Sequence, residues 1–262
     1  MSDHEKEIVD GRRLGRLPTP PEMLARNLKL AKYIQGFKMP IPPALPIDVS
    51  EGITSWPMYL NDRLGDCACA APGHMEMIFS KATGPEKDPA DQDILNLYEL
   101  QGYVPGNPAT DQGSSMGNVL SDWRNGKWSA SSIYAYCQVD MTNDAEVQLA
   151  LYLFRGLYIG IELPLTAQNQ PDVWDVVPDL PDRNQPGSWG GHAVNVVAMD
   201  ADGALEPITW ARRIKMTKAF RLAYNDEGYA VITHDLKEGS ILQDNGFDVE
   251  QLEADMAELG SA

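Results

Sequence analysis

The sequence predicts an α+β protein with a mainly helical front half packed on a mainly sheet-forming back half. From residue 67 to 156, apolar residues recur at helical spacing between glycine stops. From 157 to 236, short runs alternate with period two and are rich in β-branched residues. Helices gathered before strands, rather than interleaved with them, argue against a doubly wound sheet. The chain has 262 residues, 43% hydrophobic and 23% charged. That is enough to bury a sizeable core and excludes a disordered chain.

The elements follow in order. Residues 1–50 read as an arm with seven of the 19 prolines. Within it, LPTPPEMLARNLKLAKYI (17–34) opens on prolines suited to a helix entrance and then runs Met23, Leu24, Leu28, Leu30, Ala31 and Ile34, a short helix with one apolar side. MPIPPALP (39–46) should be extended, polyproline-like chain. A helix is expected over 67–82, closed by Gly84 and Pro85, and a second over 91–103. A third covers 114–127, capped by Ser114 or Asp111 and stopped at Gly126, and a fourth covers 144–156. Strands are expected at 157–164, 192–200, 204–211 and 229–236, with a helix at 215–227. YAYCQVD reads as a further strand with Cys137 in the core. Residues 169–191 read as a Pro/Asp-rich loop, either a lid over His192 or a contact surface. The tail, 248–260, is an acidic helix with one apolar stripe, docked on its own body or on a second subunit. The expected organisation is an arm (1–50), one α+β domain (51–240) and a tail helix (241–262).

A net charge of −17 argues against a nucleic-acid partner and against docking on anionic lipid. The charge is uneven. The first 50 residues hold 8 basic and 6 acidic residues, and the remainder carries a net charge of −19. A basic arm on an acidic body can lie on that body or on a neighbouring subunit, so a homo-oligomer or an assembly partner enters the expectations. There is no secretory signal pattern and no apolar run of membrane-spanning length. Three cysteines are an odd count, and a reduced, cytoplasmic-type compartment is expected. The Cys-x-Cys spacing lacks a second ligand pair, so neither a metal nor a cofactor is expected.

The chemistry concentrates in NDRLGDCACAAPGHM (61–75). Gly65 allows a tight turn, Asp66 is placed to cap, and Cys67 opens the helix. Unpaired N–H groups there favour a thiolate. Cys69 points about 200° away around the helix and reads as packing. Pro72 should kink the helix by clashing with the Ala68 carbonyl. His74 lies about 10 Å down the helix from Cys67, too far to serve it, and reads as core. His4 lies in the arm, and His234 reads as a surface or sheet-end residue. His192 follows Trp189-Gly-Gly and begins HAVNVVAMD, at the mouth of a strand. A thiol at a helix start and an imidazole on a distant strand are the pair a cysteine nucleophile requires.

Gly-Asp-Cys opening a helix, then GGHAV and ITW (208–210), resembles the papain-like cysteine peptidase superfamily over roughly residues 55–236. Locally, Asn61, four residues, then Asp66-Cys67 is similar to the bacteriocin-leader peptidases. It also resembles papain-like proteins of unassigned role from phages and bacteria. The resemblance implies Cys67 as nucleophile and His192 as general base. It puts Asn61 in the place of a glutamine that helps bind the oxyanion, beside the Cys67 N–H. It puts the group that orients the imidazole near Ile208 or Thr209, where Thr209 is the available acceptor. Asp200 and Asn195 are other polar candidates, Asn195 facing away from His192 on a regular strand. Trp210, Trp189 and Gly191 are expected to line the substrate cleft, with Trp210 shielding His192 from water. The implied function is a cysteine peptidase or amidase acting on a peptide or protein. The alternative is a weak or inactive papain-like scaffold in a larger, possibly phage-type, assembly. A peptidoglycan-peptide hydrolase of the NlpC type also uses Asp-Cys at a helix start.

Overall fold

The computed structural model describes residues 9–34, 44–238, 242, 244 and 246–260. The described strands are β1 (Arg16–Leu17), β2 (Ile47–Asp48), β3 (Ser114–Ser115), β4 (Ala135–Gln138), β5 (Leu157–Leu163), β6 (Val173–Trp174), β7 (Gly190–Met199), β8 (Leu205–Thr209), β9 (Arg212–Arg213), β10 (Lys215–Met216) and β11 (Asn225–Ile232). The helices are α1 (Pro21–Leu24), α2 (Leu30–Ile34), α3 (Cys67–Thr83), α4 (Asp91–Leu100), α5 (Met116–Arg124), α6 (Asp144–Phe154), α7 (Lys218–Tyr224), α8 (His234–Glu238) and α9 (Val249–Gly260). The main sheet runs β4-β11-β5-β7-β8-β10-β6, with β2 on β7 and β9 on β8. Its central pairs are antiparallel, and the α+β expectation holds.

The centre of the sheet is buried on both faces, which is why β5 and β7 read as apolar at most positions. On β5 and β11, Ile159, Ile161, Ala230 and Ile232 enter one core with α6, α7 and α9. Tyr158, Tyr229 and Val231 enter a second core with α3, α4 and α5. The two-residue period sorts neighbouring side chains to opposite layers. Helix α3 lies against β7 in the second layer, so the first residue of a helix meets the first residues of a strand.

Several expectations are corrected. The arm helix is two pieces, α1 and α2, because the Leu28 carbonyl accepts from the Gln138 N–H at 2.7 Å on the sheet edge. Helix α5 is capped by Ser115, whose hydroxyl accepts from the Asn118 N–H at 3.2 Å, not by Ser114 or Asp111. The helix expected from 215 begins at Lys218 after Thr217 caps it, because Lys215 and Met216 pair with sheet neighbours. The strand expected to run to 236 ends at Ile232, and His234 lies at the surface, one of its two expected placements, where it opens α8. Residues 169–191 are structured by β6 and a turn of 3-10 helix at Pro181–Arg183. The polyproline reading of 39–46 lies mostly outside the described residues. In the tail, α9 packs on α2, and Asp255 accepts from the Tyr33 hydroxyl at 2.6 Å and pairs with Lys32 at 2.7 Å.

Helix α3 runs unbroken through Pro72 to Thr83. Proline has no N–H, so the Ala68 carbonyl loses its helical partner. The Tyr158 hydroxyl of β5 donates to that carbonyl at 2.6 Å. The helix defect therefore becomes a tie between α3 and the sheet. Tyr158→Phe should cost about 1–3 kcal/mol by leaving a buried carbonyl unpaired. In a Pro72→Ala background, where the introduced alanine restores the helical N–H, urea denaturation should show less than half of that loss. Equal losses in both backgrounds would refute the account.

Candidate active site

Cys67 is the first residue of α3, as the glycine turn predicts. The turn is held from outside the motif. The Gly65 N–H donates to Asp111 Oδ1 at 2.9 Å, and the Tyr98 hydroxyl donates to the same oxygen at 2.6 Å. Asp66 does not cap with its side chain. It is fully buried, and its Oδ1 accepts from the Asn61 amide at 3.2 Å. Burial pushes its carboxyl well above the usual carboxylate range. Asp66 thus orients Asn61 instead of satisfying the helix end.

His192 sits near the start of β7, and its Nε2 lies 2.7 Å from Thr209 Oγ1 on the neighbouring strand. Thr209 is thus the side chain that meets the imidazole Nε2. The ring stacks on Trp210 with centroids 4.4 Å apart and planes 9° apart. Nδ1 is buried without a hydrogen-bond partner, which leaves it as the nitrogen available to a reacting thiol. Burial, then the nearby positive Arg16, pushes the imidazole down to about 3. Asn195 and Asp200 play no part: Asn195 is buried away from the cavity, and Asp200 closes the β7–β8 turn and pairs with Lys215 at 2.7 Å.

Cys67, His192, Asn61, Thr209 and Trp210 line one small cavity of about 10 Å³, together with His74. That volume admits about one water. Both Cys67 and His192 are 1% exposed. His74 is a core histidine as expected; its Nε2 is 2.9 Å from the Pro57 carbonyl and its ring lies against Tyr59. Cys69 and Cys137 are buried, and burial raises both thiols, which suits packing.

The chain's own arm lies against two residues of the cavity wall, Asn61 and Trp210. The Asn61 amide donates to the Arg13 carbonyl at 3.2 Å, and the Trp210 indole N–H reaches the same oxygen at 3.4 Å. The Arg13 N–H donates to the Asn61 carbonyl at 3.1 Å, and the Arg13 guanidinium pairs with Asp111 at 2.7 Å. Next along the arm, Gly15 is wedged between Gly65 and Gly113. A methyl at Gly15 would overlap the Gly65 carbonyl, and one at Gly113 would overlap the Gly15 carbonyl. The Ser114 N–H donates to the Gly15 carbonyl at 2.9 Å, starting the β1–β3 pair. Gly191 accommodates the Arg16 backbone, and the Arg12 guanidinium lies 5.1 Å from the Trp189 ring centroid and 5.7 Å from that of Trp210. Gly191, Trp189 and Trp210, expected to line a substrate cleft, are the residues on which the arm lies. Sequence patterning does not single out Arg13, Gly15 or Arg16, and it offers Asp111 only as a helix cap. The available signal is the glycine in RRLGRL, a small residue set among basic ones in the basic arm.

His74 provides a pH test of burial. Its folded-state value is about 4 against an ordinary 6.5, because burial disfavours the cation. The unfolded chain takes up the proton first, so this contribution to stability is lost as the pH falls through 6.5. Between pH 7 and pH 5 the loss from His74 should be about 2 kcal/mol. The decline in urea stability over that range should be smaller by this amount in His74→Gln, whose amide can still donate to Pro57. An unchanged decline would contradict the burial account.

No family model matches the sequence, and no curated protein matches it. Solved structures do. Xylellain, a cysteine protease from Xylella fastidiosa, superposes with a TM-score of 0.65 at 12% identity, over 87% of this chain and 98% of that one. Procathepsin B S9 from Trypanosoma congolense gives 0.51 at 10% identity, over 84% and 82%. A Carica candamarcensis cysteine protease in complex with E-64 gives 0.50 at 14% identity, over 72% and 99%. At these identities the likeness is one of architecture: the chain has the fold of the papain-like cysteine proteases.

Proposed function

We propose that the chain is a cysteine peptidase or amidase whose site is held closed by its own arm. Cys67 is the nucleophile, and His192 Nδ1 takes its proton as the sulfur attacks a peptide carbonyl carbon. Thr209 accepts from the imidazole Nε2–H and fixes that tautomer. The Asn61 amide and the Cys67 N–H receive the oxyanion as it forms. The carbonyl then re-forms, the imidazolium gives its proton to the leaving amine, and a thioester remains for water to hydrolyse. The observation that carries this reading is that Asn61, Cys67, His192 and Thr209 share one cavity, with the Arg13 carbonyl accepting from Asn61 where a substrate carbonyl would sit. The Asn61-x4-Asp66-Cys67 spacing further favours kinship with the bacteriocin-leader peptidases within the superfamily.

With the arm seated, His192 is buried next to a positive arginine and stays neutral, so it cannot form an ion pair with a thiolate. Displacing the arm takes away the charge of Arg16 and opens the Asn61 and Trp210 side of the site. A second reading, an inactive scaffold within an assembly, draws on the closed site and on the threonine in place of an amide.

Labelling separates the two readings. In the intact protein, Cys67 should react slowly with iodoacetamide. In full-length Gly15→Val, where the valine cannot fit against Gly65, Cys67 should react at least tenfold faster than Cys137, and His192→Ala should remove that gain. If Cys67 labels no faster than Cys137 in the displaced-arm protein, the peptidase reading fails and the scaffold reading stands.

A further inference from the structure

The arm does more than cover the cleft, because it places one charged side chain in a prepared pocket. The Arg16 side chain is completely buried. Its guanidinium pairs with Glu162 at 2.9 Å, with Asp226 at 2.7 Å and with Glu227. Glu227 is itself nearly buried, and its other oxygen accepts from the Tyr229 hydroxyl at 2.9 Å. Three carboxylates around one guanidinium leave the pocket negative even when filled. Empty, it would hold a buried carboxylate without a counter-ion, which is expensive. A planar guanidinium is the group that answers several carboxylates at once.

Three further features mark a recognition site rather than a structural ion pair. The room for the side chain comes from Gly160 on β5, where a methyl would collide with the Arg16 guanidinium. Gly160 pairs with Ala193 in the register that pairs Ile161 with His192, so the pocket opens one residue from the imidazole. The arm's own fit is incomplete, since the buried Arg16 Nε has no acceptor.

We propose that the pocket of Glu162, Asp226 and Glu227, floored by Gly160, recognises an arginine side chain of the peptide substrate, and that Arg16 occupies it as a stand-in. The substrate class is then a basic, extended peptide. This rests on the peptidase reading above. The acidic body complements such a peptide, and the cleft already accommodates Arg12 on its tryptophans and Arg13 on Asp111.

The test uses two synthetic peptide pools, identical except that every arginine in one is citrulline in the other. Citrulline keeps the shape and loses the charge. Full-length Gly15→Val should cleave the arginine pool at least tenfold faster, and adding Glu227→Gln should collapse that preference. Should Gly15→Val fail to fold, Arg16→Ala vacates the pocket without a steric clash and serves the same purpose. Equal cleavage of both pools overturns the pocket assignment. If neither pool is cleaved, fluorescence anisotropy with a labelled peptide of residues 12–19 decides, in the Cys67→Ala form of the vacated protein. At least tenfold tighter binding of the Arg16 peptide than of its citrulline version supports the pocket while the peptidase reading falls. Equal binding overturns the pocket.

Discussion

Three backbone segments meet at the site with no side chains between them, and the arrangement of the cleft depends on that contact. Gly15 of the arm lies on Gly65, which begins the turn into the Cys67 helix, and against Gly113, just before β3. A β-carbon at Gly15 would push the arm off the cavity. Because the approach is so close, the Arg13 carbonyl reaches Asn61 and Trp210, and Arg16 reaches its carboxylates. Steric fit at one glycine thus positions a carbonyl on one side and a cation on the other.

The electrostatics follow from the same contact. His192 is buried against Trp210 and Thr209, the seated arm adds the positive Arg16 nearby, and both effects favour the neutral imidazole. The arm also neutralises carboxylates that would otherwise be stranded in the cleft. The acidic cleft and the basic arm are therefore complementary, which accounts for the uneven charge along the chain. Across the cleft the arm is held by ion pairs and main-chain hydrogen bonds, while Leu14, Leu30 and Tyr33 anchor it in the main core.

Much of this is legible in the sequence. Cys67 stands out because glycine, a small polar residue and a thiol precede a helical pattern; His192 stands out because two glycines precede an apolar alternating run. Thr209 follows from its place on the next strand. The role of Asp66 is not legible, because a helix-start aspartate ordinarily caps, and only packing shows that it faces Asn61 instead. The tie from Tyr158 to Ala68 crosses 90 residues; the missing N–H at Pro72 is visible in the sequence, but its replacement is not. The arm helix reads as one piece because periodicity ignores the sheet edge that takes up Leu28. The landing place of the arm stays open between the chain's own body and a neighbour, since charge complementarity has range but no address.

The most direct measurement of the central relation between arm and site is the imidazole titration of His192, followed by NMR in the intact protein and in full-length Gly15→Val. With the arm seated, the resonance should not titrate between about pH 8 and pH 4, and in the variant its midpoint should move up toward the ordinary imidazole range. A His192 that titrates alike in both proteins would contradict the account, because the arm would then control neither the access to the site nor its charge.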